Sequence, residues 1–180
     1  MNRFRRLVIP ALGALVGLFL TSTVAMAQGQ NTATASATPA GATIAAAITI
    51  VHTAHLHFGQ IVAGTGAGTV VQTAASSPTR TASGCTLGNT TGMSPATFTV
   101  GGEPNATYAI TLPGDGDVTL DDGGAGDVMA ITAWSSSPVT TGTLSGAGAQ
   151  TLYVGGTLNV GAAQVAGSYT GTFDVIVTYN

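Results

Sequence analysis

Three histidines fall within six residues, H-T-A-H-L-H from His52 to His57. If this stretch is extended, His55 and His57 project to one face, close enough to share a metal ion, and His52 projects to the other. Zinc or copper held there would need further nitrogen, sulfur or oxygen ligands, and Cys85 is the only thiol in the chain. The reading favoured by the sequence is a polar face opposite Leu56 and Phe58, with no cofactor. A second candidate is the acidic connection Gly114 to Asp127, in which Asp115 and Asp117 have the spacing of calcium-loop carboxylates. The residues around them do not follow the twelve-residue helix–loop–helix calcium pattern, so Asp and Gly are expected to serve turn geometry instead. Enzyme signatures are missing: no serine is framed as G-x-S-x-G, and no phosphate loop or dinucleotide fingerprint occurs. Glu103 is the single glutamate and sits beside Pro104 in a turn, without an evident acid–base partner. The chain is expected not to be an enzyme.

The N-terminus reads as an export signal. Arg3, Arg5 and Arg6 precede the apolar run Leu7 to Leu20, and Ala25-Met26-Ala27 supplies a small-x-small cleavage site. The apolar run is short for a membrane span, so no span is expected after cleavage at residue 27. The exported chain then keeps Arg80 as its one cation against seven carboxylates, a net charge of −6, with no lysine. Nucleic acids and anionic lipid surfaces are bound through clustered cations, so both are excluded as partners. Cys85 is alone and cannot form an intramolecular disulfide, so stability has to come from packing.

Residues 28–42 form an Ala/Thr-rich arm with too few bulky apolar groups to offset the entropy of ordering. From residue 43 to 180 the pattern is that of one β domain. Ile44, Ala46, Ile48 and Ile50 share one parity and predict a first strand. Further strands are predicted at Thr69 to Thr73, Ala96 to Val100, Tyr108 to Leu112, Val128 to Trp134 and Gln150 to Val160. The Gly155-Gly156 pair is not a hairpin turn: a two-residue turn would put Leu158 and Val160 on the opposite face from Leu152 and Val154. One continuous strand keeps all four on one face. In the last segment, Tyr169 to Tyr179, the odd residues Tyr169, Phe173, Val175, Val177 and Tyr179 are large and apolar. The even ones are polar except Ile176. The expected core is Ile48, Ile50, Leu56, Phe58, Val70, Phe98, Val100, Tyr108, Ile110, Leu112, Val128, Leu152, Val154, Leu158, Tyr169, Phe173, Val175 and Val177. About eight short strands punctuated by turns describe an all-β, antiparallel two-sheet sandwich.

Several stretches carry a family resemblance: L-H-F-G at Leu56 to Gly59, G-T-V-V at Gly68 to Val71 and F-T-V-G-G-E-P-N-A-T-Y at Phe98 to Tyr108. V-G-G-T-L-N-V at Val154 to Val160 and the closing G-S-Y-T-G-T-F-D-V-I-V-T-Y-N add to it. Together they resemble the bacterial secreted domain-of-unknown-function 4402 family, which is similar to spore-coat-U-like and chaperone–usher pilin domains. The resemblance implies an immunoglobulin-like sandwich exported by a Gram-negative bacterium as a fimbria-like or cell-surface subunit. It further implies that Phe173, Val175, Val177 and Tyr179 pair with a strand of a periplasmic chaperone. The Asn180 carboxylate would then seat in the chaperone's basic cleft, with residues 28–42 as donor arm for self-association into surface fibres. Two other readings stay open: a stand-alone secreted binding module with a ligand or calcium on its loops, and a small outer-membrane barrel, which also ends in an aromatic strand.

Overall fold

The computed structural model describes Ala37 and residues 39–124 and 127–180. The expected signal segment and, of the arm Gln28 to Ala42, residues 28–36 and 38 lie outside the described residues. Contacts between Cα atoms divide the chain after Ala42, and the second unit, Thr43–Asn180, holds every strand described.

That unit is all-β, with no helix among the described residues. Its twelve strands are β1 (Thr49–Ala54), β2 (Ile61–Val62), β3 (Gly68–Gln72), β4 (Arg80–Ser83), β5 (Thr86–Leu87), β6 (Ala96–Gly101), β7 (Thr107–Thr111), β8 (Val118–Asp121), β9 (Val128–Ser137), β10 (Thr141–Thr143), β11 (Ala149–Val160) and β12 (Ile176–Tyr179). Seven of them make one sheet, in which β11 is the spine. Its first half pairs with β6, its second half with β3 along the same edge, and β9 covers its middle from the other side. β1 extends this sheet beyond β6, β4 beyond β3, and β8 beyond β9. A three-stranded sheet has the order β10-β7-β12, and β2 and β5 form a small ribbon.

The parity of β11 explains why it can serve three neighbours. Leu152, Val154, Leu158 and Val160 are all buried on one face, with Gly155 and Gly156 in the unbroken middle of the strand. Leu152 and Val154 join Ala96, Phe98, Val100, Tyr108 and Leu144 in one apolar cluster. Leu158 and Val160 join Phe58, Val70, Val118, Met129 and Ile131 in another. Leu56, Trp134 and Phe173 touch both clusters. Full burial of each such leucine stabilises by about 1.5–3 kcal/mol. Tyr108 is also fully buried and donates its hydroxyl to Gln150 Oε1 at 2.8 Å. Burial raises the phenol above its ordinary value of 10.0, so it remains a neutral donor.

Three expectations are corrected. The first strand starts at Thr49, not Ile44, because its partner β6 ends at Gly101, opposite Thr49. Ile44 is 95% exposed, and the Ala46 N–H is met by the Glu103 carboxylate at 2.9 Å instead of by a ladder. Val128 is not core: Val118 and Leu120 pair with Ile131 and Met129, which leaves Val128 opposite Asp121 and 49% exposed. Finally, the last strand is four residues long, not eleven.

Candidate strand-accepting groove

The short last strand defines the site. Thr170 makes an isolated bridge to Asp121 at the edge of β8, with hydrogen bonds of 2.8 and 2.9 Å. The chain then leaves the large sheet and joins β7 only at Ile176. Gly171 is required at the crossing, because a β-carbon there would collide with the Thr119 carbonyl and press on Leu120. Parity survives the crossing: Phe173, Val175, Val177 and Tyr179 are half-buried, and Thr172, Asp174, Ile176 and Thr178 are exposed. Phe173 lies tilted on Trp134, with ring centroids 4.8 Å apart. Val175, Val177 and Tyr179 pack on the cluster around Tyr108, and Asn180 is exposed.

β12 is an edge strand, and its register determines what that edge offers. Asn180 N–H donates to the Thr107 carbonyl, and Ile110 N–H donates away from β12 to Thr140. In an antiparallel ladder the N–H and C=O of one residue point the same way and alternate along the strand. Ile176 and Thr178 therefore bond to β7, whereas the N–H and C=O of Val177 and Tyr179 face the open edge. Just before β12 lies a groove of about 390 Å³, with Gly171 to Val175, the chain leading into the strand, as one wall and Ile50, His52, His55, Leu56, Ala96 and Phe98 as the other. An apolar floor next to unpaired backbone groups is what an added strand needs.

The far end of β12 is pinned. The Tyr179 hydroxyl accepts from Glu103 N–H at 2.6 Å and donates to the Ala46 carbonyl at 2.9 Å, tying the chain's end to the segment before β1. Gly102 leaves room for this hydroxyl. Tyr179→Phe is expected to cost about 1–2 kcal/mol, the net worth of two hydrogen bonds. A lowered urea midpoint with an unchanged m-value would register it; an unshifted midpoint would show that the pin carries no load.

The other candidates fall out differently. The register of β1 on β6 slips between His52 and Ala54, so an extra residue is accommodated and facing parity changes. His52 and His55, not His55 and His57, come together: their ring centroids are 4.6 Å apart. His57 bridges to Ser94, and its Nδ1 accepts from Gly59 N–H at 2.9 Å. Asp115 accepts from Ala133 N–H at 2.7 Å, capping a left-handed residue in β9. Asp117 packs beside Gly114. Among the described residues no three His, Cys, Asp or Glu side chains converge on one point. Cys85 is a free thiol, half-buried, with its Sγ 3.5 Å from the Thr69 carbonyl. No helix among the described residues is long and apolar enough to cross a membrane.

Neither a curated protein nor a solved structure matches the chain. One family model does, over residues 48–179, which takes in the groove and all of β12. The chain belongs to the family described as Domain of unknown function (DUF4402).

Proposed function

We propose that the chain is an exported, non-enzymatic structural subunit, an incomplete immunoglobulin-like sandwich completed by a strand from another protein. That strand comes first from a periplasmic chaperone and then from a neighbouring copy at the cell surface of a Gram-negative bacterium. The observation that carries this reading is the open edge of β12, where the N–H and C=O groups of Val177 and Tyr179 have no strand partner among the described residues, on the strand that continues from the groove wall Gly171 to Val175. Main-chain hydrogen bonds would supply affinity, and contacts along the groove with Phe173, Val175 and Phe98 would supply selectivity. The alternative of calcium on the Asp115–Asp127 loop has less support, because among the described residues no three carboxylates converge on one point.

Proline is tolerated on an edge strand where its missing N–H would have faced outward. Val177→Pro therefore removes a donor from the open edge and spares the bonds to β7. Envelope fractions of a Gram-negative host expressing the full chain are expected to show SDS-resistant, heat-labile multimers for the parent. The variant is expected to give a folded monomer alone. Multimers that persist in Val177→Pro, or a parent that is only ever monomeric, would falsify the proposal.

A further inference from the structure

We propose that His52 and His55 form a site for a divalent transition-metal ion of tetragonal preference, copper(II) or nickel(II), on the wall of the groove. Their ring centroids are 4.6 Å apart, with the planes inclined at 47°. Two imidazoles each bound through one nitrogen at about 2.0–2.1 Å bring their ring centres roughly 4.5 Å apart when the angle at the metal is about 90°. At a tetrahedral angle the same bonds give roughly 5.2 Å, so the observed spacing suits a tetragonal ion better than zinc.

The pairing is built by the backbone. The register slip after His52 brings residues three apart onto one side, where a regular strand would separate them. Phe98 meets the His52 ring edge-on at 5.5 Å and restricts its rotation. Among the described residues neither ring hydrogen-bonds to protein, so the nitrogen lone pairs are uncommitted, unlike that of His57. Both histidines are exposed, which leaves the remaining coordination positions to water. Asp174 stands on the facing wall, and the chain's net charge of −3 favours a cation over an anion.

The test is calorimetric titration of the tag-free monomeric protein with copper(II) chloride at neutral pH, followed by electron paramagnetic resonance of the complex. One equivalent is expected to bind with two nitrogen ligands in the spectrum. Affinity is expected to fall at least about tenfold in His52→Gln and in His55→Gln, and to stay within about twofold in His57→Gln. Unaltered Trp134 fluorescence and thermal melting in each variant would show that the fold is kept. Absence of binding, a smaller loss in either single variant, or full affinity in the double variant would overturn the assignment. Because the measurement uses the monomer, its outcome is independent of strand addition.

Discussion

Replacing Arg80 with alanine is expected to lower stability by about 3–5 kcal/mol, among the largest effects available to any side chain near the surface of this protein. The guanidinium, on β4, is half-buried and donates to four backbone carbonyls. Nη1 reaches Phe58 and Gln60, the latter at 2.9 Å, and Nη2 reaches Gly88 and Asn89, each at 2.7 Å. These carbonyls flank β2 and β5, a ribbon of only two residues per strand that cannot hold itself together by its own ladder. Hydrogen bonds to a charged group contribute about 1.5–3 kcal/mol each, but two of the four carbonyls are exposed and would rehydrate, which limits the loss.

The geometry also separates charge from shape. Lysine keeps the cation but offers one nitrogen where the planar fork offers two, so Arg80→Lys should recover less than half of the loss. Urea denaturation of parent, Arg80→Lys and Arg80→Ala should rank them in that order. Equal stability of the lysine variant and the parent would mean that charge alone is needed. Amide exchange should accelerate first around Gln60 to Val62 and Thr86 to Gly88, where the clamp acts.

What the sequence made legible is what alternation encodes. The inward residues of β11 and the half-buried row Phe173, Val175, Val177, Tyr179 follow directly from a period of two, because side-chain direction in a strand depends only on parity. Whatever interrupts parity was illegible. Nothing in Thr53-Ala54 announces a slipped register, yet that slip exchanges the partner of His55 from His57 to His52. The Arg80 clamp was invisible for another reason: its acceptors are backbone carbonyls, which every residue carries and which only the folded path brings together. The last strand's alternation extends beyond its ladder, so parity reported which face is inward and not where hydrogen bonding begins. The open edge of β12 belongs to the same class, since whether a strand has one neighbour or two is a property of the sheet.

Gly155→Ala is expected to be strongly destabilising, by about 3 kcal/mol or more, and the neighbouring Gly156→Ala much less so. Both glycines sit in the middle of β11, where the partner along one edge changes from β6 to β3. As β3 ends, the chain at Gln72 to Ala74 passes directly over Gly155. A β-carbon on Gly155 would collide with the Gln72 carbonyl and lie 2.8 Å from Thr73 C and 2.9 Å from Ala74 N. Those are backbone atoms tied into the Gln72–Arg80 pair and the Thr73–Thr79 hydrogen bond, so they cannot yield by rotating a side chain. At Gly156 the nearest atom is the Ile131 Cγ2 methyl at 3.1 Å, followed by the Thr132 carbonyl at 3.4 Å, and a shift of a few tenths of an ångström in the isoleucine relieves most of the contact. Gly66, where an added β-carbon would meet nothing within 4 Å, serves as the control and should change stability little on substitution by alanine. Guanidinium denaturation of the three variants should therefore separate Gly155→Ala from the other two. Equal effects at 155 and 156 would mean that the pair is there only for backbone freedom. A selective loss at 155 would show that close passage of β3 over β11 is what the glycine permits, and with it the junction that lets one strand serve both apolar clusters.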